Sequence, residues 1–417
     1  MNVRPIAPLT EAREFNANEI FFSTTDAKGV ILSGNDVFAR ISGFSKAELF
    51  GKPHNIIRHP DMPRAAFALF WANLHQGRPF AGYVKNMAKD GRFYWVFVVA
   101  VAASNDRYLS VRFKPTIPLL GQVETLYRSM LACENETLAA GGSEKEAVAA
   151  SLKVALAAIA GLGFVDYDSF SQLALSQEMS ARKPLLGSTT VPDYNRVESL
   201  FRQLQGFVEL NQGLQRKAAT VICIAEGFRL HAINVNITAD RFGEMGKGLG
   251  IVAGFLGDCS GQMAISTDAL YHHIDEVVHL TEVVNTQLSI AHLQMEMILF
   301  FEAEQAAKPG AGDPDELQVL GECFAASSDG ALRAMASLRS ILPLLCDARE
   351  SITRTALTIE MSQVLGNTET ARIPQGAALV SMFAEFRTKM AATRAQLDEL
   401  SRVIDRIGQI TLLAKAA

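Results

Sequence analysis

Short stretches with a period of two dominate the first 113 residues of this 417-residue chain, and turn-forming residues separate them. Alternation of apolar and polar positions between Gly, Asn or Asp residues is typical of β-strands. Five strands are predicted on this basis, at residues 19–25, 30–34, 80–87, 93–102 and 108–113.

Helical signals fill the gap between the second and third strands. Asn35 can cap one short helix, and Ser45 with Glu48 has the spacing of a capping box. Pro63 begins a longer helix through Gln76, in which bulky apolar residues recur at helical spacing. Two strands, a helical crossover and a three-strand meander predict an α+β domain at residues 15–116, with an antiparallel five-stranded sheet.

The hydrophobic period changes to three and four after residue 116, which predicts an all-α region. We expect a helical linker region at 117–190, a helical hairpin at 191–307 and a second hairpin at 315–417, with Lys308–Pro314 as the connection. Together the hairpins predict a coiled-coil or four-helix-bundle region, closed within one chain or between two. Apolar seams support this, first Val197, Leu200, Leu204, Phe207, Leu214, Val221, Phe228, Val235 and Ala239, then Val252, Leu256, Cys259, Met263, Ser266, Leu270, His273, Val277, Leu280 and Val284.

Charge and cysteine content exclude several classes of protein. A net charge of −5 gives no sign of nucleic-acid binding. The five cysteines are widely spaced without a CxxC pair, which favours a reducing compartment and gives no metal site. The start of the chain lacks the apolar core of a secretory signal, and Lys153 interrupts the Ala-rich stretch 147–165. A cytoplasmic protein without a membrane span is therefore expected.

Several separate motifs in the first domain match one family in order. They are Gly34–Phe38, Gly51–Asn55, Arg58–Pro63, the helix reaching Trp71, Val84–Asn86, and Lys89–Gly91 with Tyr94 and Trp95. This series resembles the PAS sensor domain of bacterial aerotaxis receptors. The resemblance implies a bound flavin, FAD, and a sensor of redox state or oxygen.

The resemblance also implies roles for individual residues. Arg58 and His59 are expected to donate to the phosphates or ribose of a flavin dinucleotide, because Arg offers bidentate geometry. Trp71 would stack on or wall the ring, and Asn86, which is unusual within a strand, would meet a polar ligand edge.

Three structural alternatives remain beside these roles. Asn35 either caps the following helix or contacts the cofactor, and Asp61 either joins the site or pairs with Arg58 to stiffen a loop. Trp71 can equally be a core residue.

Haem b is the alternative cofactor, because one axial histidine would suffice and His54, His59 and His75 lie in the same stretch. A third hypothesis is an adaptor protein whose PAS domain binds no cofactor and serves protein contacts only. We find no nucleophile–base pair, phosphate loop or metal spacing, so no catalytic residues are predicted and an enzyme is not expected.

The first hairpin resembles the tip of methyl-accepting chemotaxis receptors around residues 232–253. Asn234, Arg241, Glu244 and Val252 coincide with that family's pattern. Thr238, Leu249, Phe255 and Gly257 depart from it, at positions that the resemblance assigns to kinase contact. The expected partners are a second copy of the chain, as a homodimer, and either a chemotaxis kinase with its coupling protein or a diverged signalling partner.

Overall fold

The computed structural model describes residues 7–185, 207–307, 314–372 and 377–416. The chain divides into two compact units, Met1–Phe201 with Asn285–Ala331, and Arg202–Val284 with Leu332–Ala417. Residues 308–313 of the predicted connection Lys308–Pro314 lie outside the described residues, as do the first three seam residues, Val197, Leu200 and Leu204. The first unit is α+β, and the described part of the second is entirely helical.

A five-stranded antiparallel sheet organises the first unit, which confirms the predicted fold class. Its strands are β1 (Ile20–Thr25), β2 (Ile31–Gly34), β3 (Phe80–Met87), β4 (Phe93–Ala103) and β5 (Arg107–Phe113). They lie in the order β2-β1-β5-β4-β3. The hairpin turn between β4 and β5 uses positive φ angles at Asn105 and Asp106, residue types that tolerate the left-handed region.

The crossover between β2 and β3 consists of α1 (Asp36–Ser42), α2 (Lys46–Leu49), a 3-10 turn (His54–Ile57) and α3 (Arg64–His75). The Asn35 side chain accepts a hydrogen bond from the Phe38 N–H and so caps α1. At the start of α2 the Glu48 carboxylate accepts hydrogen bonds from the Ser45 N–H at 3.0 Å and from the Ser45 hydroxyl at 2.9 Å. These local signals position the crossover on one face of the sheet.

Both faces of the sheet are buried, and by different elements. On the crossover face, Phe21 packs with Phe38 and Ile31. On the opposite face, Phe22, Phe97 and other apolar residues pack against three helices that follow the sheet, α4 (Leu119–Ala139), α5 (Glu144–Gly161) and α6 (Tyr167–Arg182). Parts of α8 (Lys247–Ala307) and α9 (Pro314–Thr370) complete this second layer.

The second unit contains α7 (Phe207–Asp240), the first part of α8, the second part of α9, and α10 (Ala377–Ala416). Ser266 and Ser351 share a hydrogen bond of 2.8 Å between α8 and α9. Gly366 lies against the Phe383 ring between α9 and α10. Four helices of one chain therefore share this unit.

A glycine turn, Gly243–Gly246, separates α7 from α8 at the predicted reversal. Gly243 has φ +54°, and a Cβ on Gly246 would lie 2.0 Å from the Ala239 carbonyl oxygen. A side chain at Gly246 would therefore require the backbone to move.

Burial in the second unit follows the predicted seams. All described seam residues of known exposure are buried except two that are partly exposed, His273 and Leu280. The buried ones are Leu214, Val221, Val235, Ala239, Val252, Leu256, Cys259, Met263, Ser266, Leu270, Val277 and Val284.

One helical stretch among the described residues, Gly243–Ala307, has the length and apolar composition that a membrane span requires. Of its most apolar 18-residue window, 39% is buried inside the protein, and core helices of soluble proteins meet the same criterion. Residues 147–161 of the Ala-rich stretch lie in α5, in which Ala147, Ala155 and Ile159 are buried.

Replacement of Leu270 by Ala tests the seam. Leu270 is fully buried on α8, so its truncation should lower the free energy of unfolding of the helical unit by about 2–5 kcal/mol. Ile265 on the same helix is 67% exposed, and Ile265→Ala should cost less than about 0.5 kcal/mol. Denaturant unfolding followed by circular dichroism compares the two, and equal costs would contradict the seam assignment.

Candidate functional site

A cavity of about 270 Å³ lies between the crossover face of the sheet and α3. It is close to the lower end of the range for small-molecule sites, about 300–1,000 Å³. Apolar and aromatic side chains form most of its wall, and polar groups converge on it from three strands and the crossover. The lining residues are Thr25, Lys28, Gly29, Pro53, His54, Asn55, Arg58, Phe67, Phe70, Trp71, Val84, Asn86, Val98, Ser110 and Arg112.

Trp71 on α3 forms part of the wall. Its ring meets Tyr108 edge-on at 5.6 Å between centroids and packs next to Phe70. Gly29 approaches it closely, because a Cβ on Gly29 would lie 3.0 Å from the indole and φ there is +77°. A larger residue at position 29 would strain the turn and displace the wall.

Helix α3, which carries this wall, is capped by a residue from another helix. Pro63 at its N-cap has no side-chain hydrogen bond to offer. Instead the Glu134 carboxylate on α4 accepts hydrogen bonds from the N–H groups of Arg64 and Ala65, both at 2.9 Å. Because Glu134 is only 2% exposed, its charge is held at the positive end of the helix dipole away from water.

Arg112 on β5 is a buried cation at the cavity, only 4% exposed. Its Nη1 donates to Ser23 Oγ at 2.9 Å and to the Ser110 carbonyl at 3.3 Å. Its Nη2 donates to His54 Nε2 at 2.9 Å. Burial lowers the pKa of Arg112 to about 10, so the guanidinium remains charged at neutral pH. Among the described residues its hydrogen-bond partners are all neutral.

His54 is held neutral beside this cation. Burial and then the Arg112 charge lower the pKa of His54 well below its usual value. Because Arg112 can only donate, His54 Nε2 is the acceptor and the ring proton lies on Nδ1. The Phe38 ring stacks on the imidazole at 6.0 Å.

Asn86 brings an unsatisfied donor to the cavity. It is 3% exposed, and no acceptor for its Nδ2 exists within the described part of the chain. A buried amide N–H without a partner costs free energy, which a ligand acceptor in the cavity would recover. Arg58 also lines the cavity; its backbone pairs with Asn86, its guanidinium donates to the Met62 carbonyl at 2.8 Å and lies 4.7 Å above the Phe67 ring.

Four of the seven residues predicted to contact a cofactor line this cavity, namely His54, Arg58, Trp71 and Asn86. His59 does not; its ring is buried edge-on to Phe93. Asp61 does not either, because its carboxylate is paired with Lys85 at 2.6 Å and is 58% exposed.

Asn35 is also outside the cavity wall. Its side chain caps α1, accepts from the Phe22 N–H at 3.3 Å and donates to the Ile20 carbonyl at 3.3 Å. It also hydrogen-bonds to Glu304 on α8. Asn35 therefore holds β1, α1 and α8 together.

The four predicted tip residues differ in accessibility. Asn234, Arg241 and Glu244 are exposed, and Glu244 pairs with Lys247 at 2.7 Å. Val252 is buried on α8 and is 8% exposed. Three of the four are thus accessible to a partner.

Arg112, the buried cation of the cavity, and Glu134, which caps the helix of its wall, are not among the predicted residues. For Arg112 a signal existed, because Ser110 and Arg112 share one strand parity while Leu109, Val111 and Phe113 share the other. For Glu134 no local pattern exists, since it reaches a helix about 70 residues away.

Comparison with known proteins identifies the class of the first domain. Residues 31–112 match the family model described as the PAS fold. Together with the five-stranded sheet and its helical crossover, this makes the domain a PAS domain, of the class found in sensors of signal transduction.

Two named relatives share this region. The chain is 44% identical over 114 residues to the aerotaxis receptor of Escherichia coli (strain K12), covering 26% of this chain and 22% of the receptor. It is 32% identical over 77 residues to the nitrogen fixation regulatory protein of Klebsiella pneumoniae, covering 18% and 16%. The chain thus spans about a fifth of the length of the relatives it matches.

A solved structure of a LOV domain, the light state of the blue-light photoreceptor Aureochrome1, is also similar. The TM-score is 0.23 at 17% identity, covering 25% of this chain and 87% of that one. The assignment of the domain does not depend on it.

Replacement of Glu134 by Ala tests the cap on the cavity wall. Loss of two charge-assisted hydrogen bonds should destabilise α3 by about 1–3 kcal/mol and raise the amide exchange of residues 64–75. Glu136, which is exposed on the same helix, supplies the matched control, and Glu136→Ala should leave that exchange unchanged. Hydrogen–deuterium exchange of the full chain measures both, and unchanged exchange in Glu134→Ala would contradict the capping role.

Proposed function

We propose that the chain is a cytoplasmic sensor of redox state or oxygen whose PAS domain binds FAD. One observation carries the proposal. The Asn86 amide, which has an unsatisfied donor, and the buried Arg112 cation both line the same cavity, whose walls are mostly apolar. A flavin, when bound, supplies reversible electron transfer. The 44% identity to an aerotaxis receptor over this region also supports the assignment.

The residues of the cavity fit such a group. Trp71, Phe70 and Val98 offer apolar surface to a planar ring, and Asn86 offers a donor to a polar ring edge. Lys28 and Arg58 line the cavity as cations that suit phosphate groups. Arg112 would offset negative charge that enters with electrons, because its present partners carry none.

Haem b is the second candidate, and the geometry favours it less. His54 is the one histidine among the lining residues, and its Nε2 already accepts from Arg112 at 2.9 Å. Axial ligation through that atom would remove the His54 acceptor from Arg112 Nη2. His59 and His75 do not line the cavity.

The output is proposed to be protein contact through the helical unit, without catalysis. No group of three His, Cys, Asp or Glu residues that could hold a metal ion occurs among the described residues. The exposed tip residues Asn234, Arg241 and Glu244 would meet a chemotaxis kinase with its coupling protein, or a diverged partner. A homodimer of the chain is proposed as the assembly.

Absorption of the purified full chain tests the cofactor. A flavin spectrum that bleaches on addition of dithionite is the expected result. A sharp Soret band would identify the cofactor as haem instead of flavin. A chain that takes up neither cofactor would refute the sensor proposal and favour the adaptor.

Substitution at the cavity tests the binding residues. Asn86→Ala and Arg58→Ala should each weaken flavin retention by roughly tenfold or more, because the first removes a buried donor and the second a half-buried cation from the cavity wall. Asp61→Ala is the matched control, since this carboxylate is exposed and lies off the cavity wall. Equilibrium dialysis of flavin measures all three, and undiminished retention in both cavity variants would contradict their roles.

Arg112→Gln tests the charge at the cavity. Removal of the buried cation should lower the reduction potential of the bound flavin by on the order of 30–60 mV, because the electron-rich state loses its counter-charge. Arg92→Gln, at an exposed site paired with Asp90, is the control and should leave the potential unchanged. Spectroelectrochemical titration measures the reduction potential of both variants. An unchanged potential in Arg112→Gln would rule out the proposed role of Arg112.

A further inference from the structure

Strand β3 presents neighbouring side chains to opposite faces of the sheet. Val84 and Asn86 line the cavity. Tyr83 belongs to the core on the other face, where its hydroxyl donates to Glu178 Oε1 on α6 at 3.0 Å. Tyr83 is 1% and Glu178 0% exposed, so this hydrogen bond is sealed from water.

The second oxygen of Glu178 binds the chain directly after β5. Oε2 accepts from the Thr116 N–H and from its hydroxyl, both at 2.8 Å. One carboxyl group therefore ties α6 both to β3, which carries Asn86, and to Thr116, three residues after β5, the strand that carries Arg112. Burial raises the pKa of Glu178, and its hydrogen bonds oppose that shift.

Arg182 lies one turn further along α6 and connects it to α8. Its Nε donates to Glu296 Oε2 at 3.2 Å, and its Nη atoms donate to the carbonyls of Ala17 and Asn18 just before β1. The guanidinium also lies 5.1 Å above the ring of Phe113, the last residue of β5. Arg182 is 1% exposed, so the whole contact is buried.

Helix α8 is enclosed where this contact reaches it. Every residue from 288 to 297 is buried, more than two full turns, whereas a surface helix buries one side only. Ile290, Leu293 and Met297 belong to the core cluster that contains Tyr83 and Phe113.

We infer that Glu178 and Arg182 form a relay by which the state of the cavity reaches α8. The inference deepens the proposed function and rests on it for the step driven by the ligand. A buried carboxylate or guanidinium that loses a partner is costly, so a shift of β3 or β5 is followed by α6 and α8. Because α8 is one helix from Lys247 to Ala307 and supplies residues to both units, it can carry the shift to the helical unit.

Tyr83→Phe tests the relay without a ligand. It removes one hydroxyl, and amide exchange of the full chain should rise about fivefold or more in both 167–182 and 288–297. Tyr127→Phe is the matched control. It removes the hydroxyl that donates to the Tyr83 carbonyl at 2.9 Å, and the hydrogen bond between Tyr83 and Glu178 stays intact. It should leave 288–297 unchanged. Exchange at 288–297 that is equal in Tyr83→Phe and wild type would overturn the relay.

Arg182→Lys provides a second variant that keeps the charge. The ammonium group cannot reproduce the planar fork that joins Glu296 to the two carbonyls, so exchange at 288–297 should rise here too. Its expected effect at 288–297 is at least that of Tyr83→Phe, and a rise confined to 167–182 would overturn the relay.

The ligand-driven step is tested on the flavin-loaded chain. In wild type, exchange at 288–297 should differ between the oxidised and the dithionite-reduced protein, and Tyr83→Phe should lose the difference while it retains flavin. A flavin-loaded wild type without any difference would overturn the relay and leave the flavin site standing. A chain that binds no flavin would refute the proposed function, while the ligand-free comparison still decides the relay.

Discussion

The architecture of the first unit depends on one constraint, which is that both faces of its sheet are buried. Successive side chains of a strand point to opposite faces. Buried residues on the crossover face therefore line the cavity or pack in the core beside it, whereas those on the other face pack in the second core. In β5 Arg112 faces the cavity while Phe113 packs in the second core. A slip of one residue in the pairing of β4 with β5 would exchange the two sets. The strand register therefore places the cavity chemistry and its connections to the helices at the same time.

Two buried arginines among the described residues of this unit, Arg112 and Arg182, illustrate two ways to keep a cation inside a protein. Arg182 meets a carboxylate and two backbone carbonyls, so both its charge and its donors are satisfied. Arg112 meets a hydroxyl, a carbonyl and a neutral imidazole, so its donors are satisfied while its charge is not balanced within the described chain. The first is a structural link. The second leaves a cavity that favours negative charge.

The strands and crossover helices were predictable because their signals are local. Period-two runs, the Asn35 and Ser45 caps and the apolar face of α3 each act within a few residues, and the structure has them at the expected places. Contacts between distant elements were not predictable. His59 is next to Arg58 in sequence, yet its ring packs on Phe93 instead of lining the cavity. Glu134 caps α3, and no residue near Glu134 in the sequence indicates this contact. Period and capping specify an element, whereas the partner that covers it depends on the whole chain.

The burial pattern of helix α8 changes along its length, because different parts of the helix pack in different units. Up to Val284 its buried residues follow the three- and four-residue steps of a bundle seam, and the unit boundary falls directly after it. From 288 to 297 burial is continuous, and polar residues such as His292 and Glu296 become part of the interior. Polar groups can be buried there because partners such as Arg182 meet them, which apolar seam packing does not provide. The same helix is thus a one-sided bundle member in one unit and a core element of the PAS-containing unit.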